Sequence, residues 1–285
     1  MIAIVTDSTA DIPDDLRELH AIHVVPLRVQ FGEQTFCDGV DLSKDEFYTR
    51  LLSSDVLPTT STPPVGAFLE QYRSLLDHTD TILSLHISGK LSSTVRTARQ
   101  AAEMVMQERP NTHIEVIDTG WAQMVVAYMT VQASIAAHAG ATLPELSVLI
   151  DDLKARAFIY IGFDTLKFLE RGGRIGRARS LLGTLLRVKP IVAMRDGEVV
   201  PLEQVRTHRR LISRMGELVQ EQGPLDELAI EYSNDPEPAH AVREQLLTTE
   251  ILPAEQIRIV QTGSVVGTHI GPNGIGVLGL RRATE

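Results

Sequence analysis

Hydroxyl groups gather in three short segments of this chain, and one histidine stands among glycines near its end. Asp7-Ser8-Thr9 closes the first aliphatic run. Thr59, Thr60, Ser61 and Thr62 stand in a row in "PTTSTPP" (58–64), and Ser92, Ser93 and Thr94 close "ISGKLSST" (87–94). His269 lies in "VVGTHIGPNGIG" (265–276), with glycines at 267, 271, 274 and 276. Uncharged donors of this kind suit a bound anion. Serine and threonine before a helix also cap its orphan N–H groups, and the same helix start can bind an anion. Several such clusters at strand-to-helix junctions shift the balance toward a ligand, because open α/β sheets bind theirs beyond the carboxyl ends of the strands.

Spacing excludes sharper chemistries. "SGKLSST" fails as a phosphate-binding loop: Ser84 stands where its first glycine belongs, and Leu91 follows Lys90 in place of Ser or Thr. There is no G-x-S-x-G elbow, and the nine histidines form no H-x-x-x-H pair, so no metal site is expected. A hydrolase using Ser92 and His269 remains formally open, although no acid is marked as its third member. His86, inside an apolar strand, reads as a satisfied core histidine. Cys37 is the only cysteine; it excludes an internal disulfide and fits a reducing cytoplasm.

Hydrophobic residues make up 43% of the 285 and charged residues 22%, a globular composition. No apolar run approaches the roughly 20 residues that span a bilayer, and the N-terminus lacks the pattern of a signal peptide. The net charge of −10 argues against nucleic acid as a partner. Against that background, Lys167, Arg171, Arg174, Arg177, Arg179, Arg187 and Lys189 face a single acid, Glu170. Such a basic island suits a local anionic ligand or a docking partner, or else is a solvated loop.

The elements that must carry these groups alternate regularly at first. Strands are expected at 2–9, 22–31 (with Pro26 hinting at an edge or bulge), 81–88 and 113–120. Helices are expected from Ser43, where Glu46 completes a capping box, at 64–78, after Ser93, and from Trp121. This βα alternation predicts a parallel sheet covered by helices. A helix at 143–155 leads to a second half of different character. It holds a strand at 158–163, a short helix ending at Gly172-Gly173 and a hairpin about Asp196-Gly197. Helices near 207–222 and 237–248 then alternate with three further strands. The expected domains are 1–155, α/β, and 156–285, α+β with a mixed sheet.

"VTDSTADIP", "TSTPP", "SGKLSST", "DTLKFLERGGRIGR" (164–177), "KPI" and "THIGPNGIGV" occur here in one order, and together they resemble the DegV family of bacterial fatty-acid-binding proteins along essentially the whole chain. The resemblance implies a two-domain fold holding one long-chain fatty acid between its domains, with no cofactor. It also implies a non-catalytic carrier that presents the carboxylate to the ATP-using subunit of a fatty acid kinase, which makes the acyl phosphate. By motif, the head-group residues are Thr60, Ser61, Ser92 and His269, and Ser93 adds a hydroxyl where the family usually has glycine. Ile270 and Asn273 also depart from the family pattern. The glycines around His269 would let the backbone approach the ligand, unless the segment is a turn with an incidental histidine. Arg171, Arg174, Arg177 and Arg179 become candidates for docking the kinase or an anionic membrane surface. The alternatives are a lipid ester hydrolase built on Ser92 and His269, or a lipid-responsive regulatory protein.

Overall fold

The computed structural model describes residues 2–182, 188–249 and 251–283; Arg187 of the basic island lies outside them. From the N-terminus come β1 (Ile2–Asp7), α1 (Asp14–Leu19), β2 (Ile22–Val25), β3 (Arg28–Phe31), β4 (Gln34–Cys37) and α2 (Lys44–Ser53). Then follow β5 (Thr59–Ser61), α3 (Val65–Leu75), β6 (Thr81–His86), α4 (Thr94–Glu108), β7 (His113–Asp118), α5 (Met124–His138) and α6 (Leu143–Arg156). Next are β8 (Ala157–Gly162), α7 (Lys167–Arg171), β9 (Lys189–Arg195), β10 (Glu198–Val205) and α8 (His208–Gln220). The last are β11 (Leu225–Tyr232), α9 (Glu237–Leu247), β12 (Ile257–Gln261), α10 (Ser264–Ile270) and β13 (Ile275–Arg281).

The chain divides into two compact units, 1–28 with 60–155, and 29–59 with 156–285. This corrects the expected first domain, because residues 29–59 belong to the second unit. The departure point is Pro26. The single strand expected at 22–31 is two strands, β2 and β3, in different sheets, since proline donates no ladder hydrogen bond and ends the first pairing. β3 and β5 open and close the excursion, and β3 is the central strand of a small sheet ordered β4-β3-β5.

In the first unit, β2-β1-β6-β7 form a fully parallel sheet. Val5, Val25, Ile82 and Ile114 pack with Phe68 and Tyr72 of α3 and with Ala98, Ala101, Ala102 and Val105 of α4. α5 packs on β1, β2 and β6 and buries every residue from Met124 to Val131. A helix apolar on all sides belongs inside a protein.

The second unit is built on a six-stranded sheet, β10-β9-β8-β13-β11-β12, antiparallel except for the β11–β12 pair. Asp196 (φ 52°) and Gly197 (φ 81°) make the hairpin turn between β9 and β10, with the two positive φ angles that a type I′ turn requires. Phe158, Leu211, Met215, Leu228, Val242 and Val277 are the centre of its core. The segment around His269, for which the strand-helix pattern predicts no element, forms α10. A turn follows it, through Gly271 (φ 77°) and Asn273 (φ 58°) into β13.

Candidate functional site

In the first unit, Thr60 and Ser61 end β5 and lead into α3, while Ser92 and Ser93 lead into α4, and these two helices pack together. The N-cap residue of α3 is Pro64, which contributes no side-chain bond, so the threonine-serine row is not spent on capping that helix. Thr60 is half-buried and Ser61 exposed. Ser92 is committed locally: its Oγ lies 2.8 Å from Thr94 Oγ1 and accepts from Thr94 N at 3.3 Å. Ser93 is the N-cap residue of α4, yet its hydroxyl caps nothing; it accepts from Arg96 Nη2 at 3.1 Å instead.

Two carboxylates hold the loop that presents Ser92. Asp118, at the end of β7, accepts from Gly89 N through both oxygens at 3.1 Å and from Gly120 N at 2.9 Å. Asp7, at the end of β1, accepts from Ile87 N at 3.2 Å, His86 Nδ1 at 2.9 Å, and Thr9 N and Oγ1 at 3.1 and 2.5 Å. A buried carboxylate persists when all its lone pairs are occupied in this way. The chain continues inward from His86 Nε2 to Ser84 Oγ at 2.7 Å and on to Tyr72 Oη at 2.8 Å. Because the carboxylate only accepts, the imidazole donates through Nδ1, and Nε2 is then the acceptor for Ser84. Burial pushes the Tyr72 phenol well above its ordinary pKa. Aspartate, histidine and serine stand here in the order of a hydrolase triad, but all three are 0% exposed. Sequence reasoning placed His86 in the core and missed this partnership, which pairs residues 79 positions apart.

In the second unit, α10 brings His269 against the arginine segment. An ideal Cβ on Gly172 would lie 2.2 Å from His269 Nδ1, so the imidazole rests where a side chain at 172 would stand. Arg174 Nη1 donates to Gly172 O at 2.6 Å. Burial first, and the Arg174 charge second, lower the His269 pKa from 6.5 to about 4. The ring is therefore uncharged near neutrality and presents one N–H donor and one acceptor. The neighbouring glycines serve the protein's own packing: Gly267 meets Phe47 and Tyr48, Gly271 meets Phe168, and Gly274 meets Ile270 and Ser233. Arg171, Arg177 and Arg179 are exposed and Arg174 half-buried. Thus His269, Gly172 and Arg174 are brought together in one unit, and Thr60, Ser61, Ser92 and Ser93 are carried by the other. Among the described residues no cluster of His, Cys, Asp and Glu could hold a metal ion, and no helix is long and apolar enough to cross a membrane.

A family model described as "Uncharacterised protein, DegV family" matches residues 1–282. Protein DegV of Bacillus subtilis is 34% identical over 280 residues, 97% of this chain and 98% of its own. Among solved structures, a fatty-acid-binding DegV family protein from Thermus thermophilus aligns with a TM-score of 0.89 at 33% identity, covering 99% of both chains. A stearic-acid-binding protein from Eubacterium ventriosum aligns with a TM-score of 0.89 at 26% identity, over 99% of this chain and 98% of its own. With the model and these relatives matching nearly from end to end, the chain belongs to the DegV family.

Proposed function

We propose that this protein binds one long-chain fatty acid and presents its carboxylate to a separate fatty acid kinase, whose ATP-binding subunit forms the acyl phosphate. The observation that carries the reading is the full-length likeness, in sequence and in fold, to the fatty-acid-binding protein of Thermus thermophilus. In this reading Thr60, Ser61, Ser92, Ser93 and His269 meet the head group, and the protein is a non-catalytic cytoplasmic carrier that needs no cofactor. Arg171, Arg174, Arg177 and Arg179 provide the docking face for the kinase, with an anionic membrane surface as the second candidate partner.

The chemistry of these residues supports the assignment. Burial of an acyl chain is worth ~0.8 kcal/mol per methylene, on the order of 10 kcal/mol gross for a long tail before ordering costs. The tail supplies affinity and the head-group donors supply orientation, because a carboxylate cannot be buried unpaired. Hydroxyls and an uncharged imidazole hold it with neutral donors. An arginine clamp would bind its charge more tightly and blunt the oxygen that must attack phosphorus.

Native mass spectrometry of the purified protein, followed by solvent extraction of whatever dissociates, tests the reading. A stoichiometric long-chain fatty acid, depleted in Ser92→Ala and His269→Ala, is the expected result. A protein that emerges empty and ignores added fatty acids overturns it. Addition of ATP and the host's kinase subunit should then convert the bound acid to acyl phosphate.

A further inference from the structure

The helix that carries His269 has no cap of its own. Its N-cap residue is Gly263, without a side-chain oxygen, and no acid stands in its first turn. So short a helix has little stability alone, and its first N–H groups need acceptors. The acceptor comes from 226 residues away: Asp38 Oδ1 accepts from Ser264 N at 3.3 Å and from Ser264 Oγ at 2.5 Å. Asp38 is 7% exposed and Ser264 0%, so the pair is shielded from water and from salt. A carboxylate in this position also complements the positive end of the helix.

The same excursion of chain grips α10 twice more. Lys44 Nζ donates to Gln261 O at 2.6 Å, and Gln261 Nε2 donates to Asp45 Oδ1 at 3.2 Å, just ahead of the helix. One turn into it, an ideal Cβ on Gly267 would lie 2.7 Å from Tyr48 Oη and 2.8 Å from Phe47 Cε1, so the helix backbone lies directly on α2. Within α10, Thr268 Oγ1 donates back to Ser264 O at 2.8 Å, which ties the residue beside His269 to the anchored first turn.

We propose that the 29–59 excursion is the seat of α10 and that Asp38 is a positioning residue for the His269 imidazole, acting through Ser264 and the helix between them. Five residues separate the anchor from the imidazole, about 7.5 Å along the axis, so a tilt at Ser264 is delivered to the ring. The consequence for ligand binding rests on the reading that His269 meets the fatty-acid head group. The consequence for the imidazole does not.

The experiment uses the full chain, with Asp38→Ala, Asp38→Asn and Ser264→Ala, and His269→Ala alone and combined with Asp38→Ala. Two readouts are taken: the His269 ring resonances by NMR, assigned by their loss in His269→Gln, and stearate affinity. Asp38→Ala is expected to shift the His269 resonances and to weaken stearate binding roughly tenfold, the scale of one lost charged hydrogen bond. Asp38→Asn, whose Oδ1 still accepts, restores most of both, and Asp38→Ala adds nothing once His269 is alanine. If Asp38→Ala does not fold, Ser264→Ala, which removes only the hydroxyl contact, gives the same shift in smaller measure. Unmoved His269 resonances in a folded variant overturn the proposal, as does full additivity with His269→Ala. If His269→Ala itself binds stearate normally, the head-group assignment fails, and the ring resonances still decide the positioning role.

Discussion

Gly172 and His269 share one volume: an ideal Cβ on the glycine would lie 2.2 Å from the imidazole Nδ1. Gly172 has φ −71°, which any residue adopts, so its requirement for glycine comes from the imidazole and not from the backbone. Gly173 is the reverse case, with φ 71° and nothing within 4 Å of its ideal Cβ. Gly172→Ala should therefore displace the ring and weaken fatty-acid binding about tenfold, one hydrogen bond's worth. Gly173→Ala should cost about 1 kcal/mol of stability through strain alone and leave affinity unchanged. Calorimetric melting and stearate titration of the pair check both halves. Equal affinity in the two variants would remove His269 from the head-group set.

The depressed His269 pKa sets a pH window. An unfolded histidine takes its proton near pH 6.5, whereas this one resists until about pH 4. Between those values the unfolded chain binds more protons, so this group withdraws stability as pH falls through the window and withdraws no more below it. His269→Gln should flatten that part of the stability profile. A carboxylate placed against the ring acts oppositely and raises its pKa. NMR titration should thus find the His269 midpoint near 4 without ligand and clearly higher with stearate bound. An unmoved midpoint would argue that the head group lies elsewhere.

What the sequence revealed and what it hid differ by the range of the interaction. Strand-helix alternation, the Ser43 cap and the Asp196-Gly197 hairpin were legible because each depends on residues within a few positions. The excursion of 29–59 was not, since its ties run from Asp38 to Ser264 and from Lys44 to Gln261, and no local pattern announces them. α10 was hidden for a related reason. A helix holding Gly267 and closing on Gly271 scores poorly by propensity and is held by Asp38, Phe47, Tyr48 and Phe168, a tertiary override of local preference. Pro26, which hints at an edge or bulge, directly follows the edge strand β2 and is also where the chain leaves one sheet for another. The site residues were named through family motifs; the signal available without them was the hydroxyl row ahead of Pro64, whose N-cap position makes no side-chain cap bond.

Gly89 occupies the tight point of the Ser92 loop. An ideal Cβ there would lie 2.6 Å from Asp118 Oδ2, the same carboxylate that holds the Gly89 and Gly120 N–H groups. Gly89→Ala should push the carboxylate aside, and Asp118→Ala should leave both amides without their acceptor, a loss of about 1–3 kcal/mol. Hydrogen exchange at the amides of positions 89 and 120 should accelerate in both variants. If Ser92 is a head-group donor, stearate affinity should fall in parallel. Faster exchange with unchanged affinity would show that the order of this loop is not what the ligand uses.

The Asp7–His86 pair offers the sharpest separation of stability from function, because it lies wholly inside the first unit and touches no proposed head-group residue. His86→Leu would remove a donor to Asp7 and the acceptor for Ser84, leaving a buried carboxylate with one partner fewer. Leaving a buried acceptor short of a donor costs about 1–3 kcal/mol, more for a charged group, a sizeable part of the 5–15 kcal/mol that a typical protein has. Asp7→Asn should cost less than Asp7→Ala, because its amide oxygen still accepts from some of the same donors, but its NH₂ then competes with the donors it faces. Denaturant melts of the three variants should rank Asp7→Asn as the mildest. Head-group affinity of His86→Leu, which leaves Asp7 holding Ile87 N, should be close to that of the unaltered protein on whatever fraction stays folded, whereas the Asp7 variants also release the loop that presents Ser92. A triad-like catalytic role would instead require measurable ester turnover that disappears in all three, and such turnover in the unaltered protein would overturn the assignment of this pair to the core.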